Sequence, residues 1–244
     1  MAAFRTAQLQ LFQHGGQVSD ADQEGRPLGR MKYTEEERSR IMISFIHATR
    51  KIIDAEGIEQ VSIRKIAALT GMNSATMYLY FSSADVLITM ASMSYLEEYC
   101  RTLAEDMPKM HTPEDTLLHT WDVFSRYAFA SPDIFYHIFF ETHSVSLSEI
   151  IDQYYSLFPE QLHNIDGPVL DMLHEGLLSE RSWHVLRPVA EQRGMKEEDA
   201  RIVNDMLVSY FRFLLEERRA NPDGALTDDT LIRKLKQAIG LLLS

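Results

Sequence analysis

The side chains between Ser62 and Phe81 are the ones whose types and spacing suit recognition chemistry. Asn73, Ser74 and Thr76 set short hydrogen-bonding groups at the front of a predicted short helix, within reach of phosphate oxygens or base edges, and Ala75 completes that front. Tyr78 and Tyr80 add two rings with hydroxyls just behind it, able to donate to an acceptor outside the helix or to pack in a small core. Arg64 opens the preceding short helix, where a cation beside exposed helix N–H groups suits a phosphate, and Lys32 stands just before the first long helix.

Elsewhere the chemistry is sparser. His137 and Glu141 lie one helical turn apart, but two ligands do not make a metal site, and the other histidines lack zinc-like spacing; no metal is expected. Cys100 is the only cysteine, which excludes an intrachain disulfide, and its place on an apolar helical stripe reads as packing rather than redox sensing. No Ser/His/Asp set, phosphate-binding glycine loop or paired carboxylates point to catalysis, so neither an enzyme nor a cofactor is expected.

The elements that must position these groups are helices. Thr34 with Glu37 makes a capping box, and Ile41, Phe45 and Ile52, with Met42, Ile46 and Ile53 beside them, recur at helical spacing up to Gly57. Ser62 opens a short helix ending near Leu69, Gly71 marks a tight turn, and Asn73 caps a second short helix to about Tyr80. Ser83 then caps one long helix running to Pro108. Thr112-Pro113-Glu114 and Ser131-Pro132-Asp133 repeat the order of cap, proline and acid, and Ser146 with Glu149 is a further box. More helices are predicted over about 168–179, 197–220 and 228–243. No period-2 strand stands out, so the chain reads as all-α.

Two short helices around a glycine turn, with longer helices on either side, have helix-turn-helix spacing. The run Ser62-Ile63-Arg64-Lys65-Ile66-Ala67-Ala68-Leu69-Thr70-Gly71-Met72-Asn73-Ser74-Ala75-Thr76-Met77-Tyr78-Leu79-Tyr80-Phe81 resembles the N-terminal domain of TetR/AcrR-type transcriptional regulators, over about residues 34–97. That resemblance implies a three-helix DNA-binding domain over 33–97 after an arm of 1–32, and a larger helical ligand-binding and dimerisation domain over 98–244. It also implies a homodimer on a palindromic duplex operator, released when a small-molecule effector binds. The chain departs from the family in charge, since Ser74, Ser82 and Ala84 stand where many members carry lysine. A dimeric small-molecule-binding or protein-interaction module with weak or no DNA binding is therefore the alternative.

The charge distribution permits the first reading. Residues 30–85 hold eight basic and seven acidic side chains, whereas 86–244 hold 14 and 26, so acidity is concentrated away from the helix-turn-helix. Arg26, Arg30 and Lys32 are positioned to act as a minor-groove arm. No apolar run is long enough for a membrane span and no secretory signal is seen, so a cytoplasmic location is expected.

In the larger domain, aromatic residues between 117 and 143 suggest a cavity. Trp121, Phe124, Tyr127, Phe140 and Met172 are candidate walls, with His137, Glu141 and His143 as polar anchors. The last two helices carry wide apolar stripes, and Met206, Tyr210, Phe213, Leu235, Ile239 and Leu242 are the candidate dimer face.

Overall fold

The computed structural model describes residues 33–162, 165, 167–222, 224 and 226–244. Lys32 and the basic arm lie outside the described residues. The chain divides into a short unit, Met1–Glu37, and a large one, Arg38–Ser244. In the short unit the capping box is complete, with the Thr34 N–H donating to Glu37 at 2.7 Å and the Glu37 N–H donating to Thr34 Oγ1 at 3.2 Å.

Twelve α-helices and no strands make up the described residues. We number them α1 (Glu35–Glu56), α2 (Ile63–Thr70), α3 (Ser74–Met77), α4 (Ala84–Ser92), α5 (Ser94–Asp106) and α6 (Pro113–Ala130). Then come α7 (Pro132–Phe140), α8 (Leu147–Leu157), α9 (Gly167–His174), α10 (Leu178–Gln192), α11 (Glu197–Ala220) and α12 (Asp228–Leu242). None is long and apolar enough to cross a membrane.

Predicted caps account for many of the boundaries. The side chains of Ser62, Asn73, Ser83, Thr112 and Ser146 each accept a backbone N–H in the first turn of the helix that follows, satisfying a donor the helix cannot satisfy itself. Ser131 departs from expectation and makes no side-chain cap. Gly71 takes the left-handed φ of 67° that closes α2, a conformation disfavoured for any residue with a Cβ.

Two predicted helices are divided. The long helix expected from Ser83 to Pro108 breaks at Met93, whose N–H is shared between the carbonyls of Thr89 and Met90 at 3.0 and 3.3 Å. The helix expected over 168–179 stops at His174, because the chain at Gly176 runs against α8. A Cβ there would lie 2.6 Å from Ser148 Oγ and 2.7 Å from its backbone nitrogen. A new helix, α10, then begins at Leu178, with Pro188 in its interior, a residue that ordinarily argues against one.

Around these helices lies one large apolar core. Helix α10 packs on α11 and α6, α12 on α6, and α8 on α4. Phe211 of α11 is fully buried at the hub of an aromatic cluster, with the rings of Trp121, Phe124, Phe129 and Phe140 between 5.2 and 6.3 Å away. Most of the aromatic residues between 117 and 143 are therefore packing groups.

Candidate nucleic-acid interface and ligand cavity

The helix-turn-helix is oriented from within. Ile66 of α2, Met77 of α3 and Phe81 are almost wholly buried, and Phe45 of α1 meets the Phe81 ring edge-on at 6.1 Å. Ile63 and Ala67 are half-buried beside them. With its inner side fixed this way, α3 turns a small outer surface to solvent. Asn73, Ala75 and Tyr78 are exposed, and Ser74, Thr76 and Tyr80 are half-exposed.

Their roles differ more than the sequence suggests. Asn73 Oδ1 accepts the Ala75 N–H at 3.0 Å, so its side chain is engaged as the cap of α3. Tyr80 lies beneath the Arg38 guanidinium, 5.3 Å from ring centre to cation, and is partly a packing residue. Tyr78 is 54% exposed and Leu79 is 67% exposed, making Leu79 a surface apolar residue that the sequence reading did not single out. Its signal was present in the alternation of Met77, Leu79 and Phe81, of which two are buried. Arg64 is exposed on α2, whereas Lys65 is tied to Glu56 at 2.7 Å and to the Gln60 carbonyl at 3.0 Å.

A second feature is a cavity of about 320 Å³ between the start of α6, α9 and α10, lined by Leu103, Met107, Thr116, Met172, Val185 and Pro188 among others. Through Thr120, Met172 and Val185 it adjoins a tighter space against Trp121, Phe124, Arg181 and Ser182. The candidate walls Trp121, Phe124 and Met172 do line this region. Tyr127 does not; its hydroxyl pairs with Thr102 Oγ1 at 3.0 Å. Phe140 lies instead under the Arg212 guanidinium. His137 and Glu141 are also elsewhere, bonded to each other at 2.7 Å, so the expected polar anchors are not at this cavity.

The polar group that does stand there is Arg181, which is 3% exposed. Its Nε donates to the Glu175 carbonyl at 2.7 Å and one terminal nitrogen donates to the Leu173 carbonyl at 2.9 Å, closing the C-terminal end of α9. Its other terminal nitrogen has no hydrogen-bond partner among the described residues, nor do Thr120 Oγ1, Trp121 Nε1 and Ser182 Oγ. Buried polar groups normally find partners, because an unmatched one costs about 1–3 kcal/mol. Four unmatched donors beside one apolar space suit a ligand with an acceptor or anionic group. Sequence reading missed Arg181 because nothing local distinguishes it from a surface arginine.

Cys100 is buried close by, and loss of solvent pushes its thiol up to about 12. A thiol so held is protonated at neutral pH and makes a poor redox sensor.

Along the stripe expected as a dimer face, Met206 and Phe213 are 53% and 51% exposed, Tyr210 stacks on Phe213 at 6.1 Å, and Leu242 is half-buried. Leu235 and Ile239 require correction. They are 1% and 2% exposed in the single chain, because α12 turns that side onto its own core, and they present no face to a second copy. Ile202 on α11 and Leu241 on α12 are further exposed apolar residues on these two helices.

A family model described as bacterial regulatory proteins, tetR family, matches residues 45–89, from α1 through the helix-turn-helix into α4. Among solved structures, the FadR repressor of Thermus thermophilus, in complex with lauroyl-CoA, is similar with a TM-score of 0.55 and 16% identity, over 83% of this chain and 93% of that one. FadR of Bacillus subtilis, in complex with stearoyl-CoA, gives 0.50 and 16% over 83% and 97%. A TetR/AcrR-family regulator from Thermobifida fusca gives 0.51 and 14% over 84% and 97%. At these identities the likeness is one of fold. No curated protein sequence matches the chain.

Proposed function

Because a tetR-family model matches residues 45–89 and the chain shares its helical fold with TetR regulators, we propose that it is a ligand-responsive, homodimeric transcriptional repressor. Residues 33–97 hold DNA and 98–244 hold the effector and the partner copy. The observation that carries this reading is the outer surface of α3 and the turn after it, where Ala75, Tyr78 and Leu79 are exposed and Ser74 and Thr76 half-exposed, over the buried Met77 and Phe81. Hydroxyls there meet phosphate oxygens and base edges, while Ala75, Leu79 and the Tyr78 ring suit thymine methyl groups. Arg64 supplies a phosphate contact from α2.

The effector is an amphipathic molecule. Its apolar part occupies the space along Leu103, Met107 and Val185, and its acceptor or anionic group meets Arg181, Thr120 and Ser182. Acyl thioesters and fatty acids have this character, and two proteins of the same fold hold acyl-CoA molecules. Release from DNA follows only where the effector favours one orientation of the helix-turn-helix over another.

The test is fluorescence anisotropy of the full chain on duplexes tiled across the region upstream of its own gene, with random competitor, beside Tyr78→Ala and Thr76→Ala. Competitor-resistant binding to one tile, lost in both variants, supports the reading. Equal binding to all tiles, unchanged by the variants, contradicts it.

A further inference from the structure

Asp85, His137 and His143 come from three separate places in the sequence, yet their ligand atoms lie within 4.8 Å of one another, and they are the metal-competent group of this kind among the described residues. Asp85 is in the first turn of α4, His137 is on α7, and His143 is in the loop after α7. Both imidazoles are well enclosed, and their rings stand 5.1 Å apart, nearly perpendicular.

The hydrogen bonds around the two rings determine which nitrogens converge. His137 Nδ1 meets the Glu141 carboxylate at 2.7 Å, and His143 Nε2 meets the Ile138 carbonyl at 3.2 Å. Both partners only accept, so each can take the single N–H of a neutral ring in a metal-binding arrangement. In that arrangement the two remaining nitrogens, His137 Nε2 and His143 Nδ1, offer lone pairs. They point to the same place, 3.1 and 3.3 Å from Thr89 Oγ1. The Thr89 hydroxyl proton goes to the Asp85 carbonyl at 2.9 Å.

One contact in this set does not balance. His143 Nδ1 lies 3.0 Å from Asp85 Oδ1 while Nε2 faces the Ile138 carbonyl, so both nitrogens of the ring meet acceptors and a neutral imidazole, with one N–H, leaves one of them unmatched. A proton on His143 satisfies that one contact and leaves His137 Nε2 aimed at the same point. A divalent cation satisfies all three. The outer contacts are those of metal-ligating histidines, which donate their second N–H to a carboxylate or a backbone carbonyl. Two imidazoles and a carboxylate suit a borderline transition metal, with a fourth position left for water.

We propose that Asp85, His137 and His143 form a binding site for a divalent transition-metal ion of the zinc class, with Glu141 and the Ile138 carbonyl as its outer shell. The ion joins the first turn of α4, the helix after the reading head, to α7 and its following loop. Ser144 reinforces the same junction, its N–H donating to Asp85 Oδ2 at 3.3 Å and its hydroxyl meeting Ser83 at 3.0 Å. An ion there fixes the seating of α4 on α7, and on the regulatory reading given above it changes DNA affinity.

The test uses the metal-stripped full chain titrated with Co²⁺ and, separately, Zn²⁺. Expected are visible d–d bands that saturate at one ion per chain, a Zn²⁺-dependent rise in Tm, and loss of both in His143→Gln and Asp85→Asn. Glu141→Gln weakens binding by about 10–100-fold, as outer-shell changes do. His174→Ala, which removes an exposed histidine paired with Asp152, leaves binding unchanged. Circular dichroism of each variant separates loss of the site from loss of the fold. A folded wild-type chain that takes up no Co²⁺ or Zn²⁺ overturns the proposal, as does uptake that survives both His143→Gln and Asp85→Asn. Metal uptake by a chain that binds no DNA counts against the regulatory reading and leaves the site standing.

Discussion

Asn73 Oδ1 accepts the backbone N–H of Ala75 at 3.0 Å, so the residue at the tip of the turn is engaged in holding α3 rather than in reaching outward. Substitution there should therefore act on stability. Asn73→Ala is expected to cost about 0.5–2 kcal/mol, measured by urea unfolding, while Asn73→Ser or Asn73→Asp keeps most of the wild-type value. DNA sequence preference should be unaltered in Asn73→Ser. A changed preference at wild-type stability would assign Asn73 to base reading instead.

The orphaned hydroxyls at the cavity allow a paired prediction. Removing an unsatisfied buried hydroxyl is neutral or stabilising, by up to about 1 kcal/mol, so Thr120→Val and Ser182→Ala should unfold at the same or slightly higher urea concentration. The same variants should bind lauroyl-CoA or laurate more weakly, followed by quenching of Trp121, which lines the site. Clear destabilisation with unchanged ligand binding would show that these hydroxyls have structural partners and that the effector lies elsewhere.

The exposed row on α11 predicts the oligomeric state. Ile202, Met206 and Phe213 recur at helical spacing and are each more than half exposed, and Leu241 on α12 is 69% exposed. Sedimentation should give a dimer for the wild type and a monomer with unchanged helicity for a Met206→Asp, Phe213→Asp double variant. A wild-type monomer, or a dimer untouched by those changes, removes these faces from consideration.

Burial of Cys100 gives a pH dependence with a defined sign. Its thiol moves from an ordinary 9.0 up to about 12 because the thiolate would be desolvated. Between those values the native chain keeps a proton that the unfolded chain has lost, so stability falls as pH rises through this window and is unaffected by this group below it. Burial raises Tyr99, Tyr154 and Tyr155 in the same direction, steepening the loss at still higher pH. Cys100→Ser should flatten the first part of that alkaline decline in Tm. An aromatic disulfide reagent should label Cys100 only on unfolding, and prompt labelling of the native chain would contradict the burial.

The salt dependence of DNA binding tests the lysine-poor reading head. Each phosphate contact contributes about −0.9 to the log–log slope. With Lys65 held by Glu56 and uncharged residues at 74, 82 and 84, the slope should be shallow, and Arg64→Ala should lower its magnitude by about one. A steep slope unaffected by Arg64→Ala would place the phosphate contacts elsewhere.

What could be read from the sequence was what neighbouring residues decide. Thr34 with Glu37, Ser62, Gly71, Asn73 and Ser83 act over three or four positions, and they mark the helix-turn-helix whatever the rest of the chain does. Features set by long-range packing could not be read this way. Gly176 stops a helix because Ser148 lies beside it, and Pro188 is tolerated inside α10 where composition argues for a break. Leu235 and Ile239 follow the same apolar spacing as a dimer face, and only the packing of α12 shows that its own chain covers them. His137 with Glu141 is a pair too small for a metal, and the residues proposed to complete a site with His137, His143 and Asp85, stand 6 and 52 positions from it in sequence, brought together by the fold alone. Arg181 is likewise ordinary in sequence and distinctive only once buried.

On the proposed function, α3 reads duplex DNA as part of a two-fold symmetric pair. Selection from a random-sequence duplex pool by the purified full chain tests it whatever the target sequence is. The expected result is enrichment of one inverted repeat whose half-sites lie about 34–36 Å apart, one helical turn, with enrichment lost in Tyr78→Ala. Recovery of no sequence above the starting pool, by a folded dimer at low salt, would contradict it and leave a helical ligand-binding module that does not read DNA.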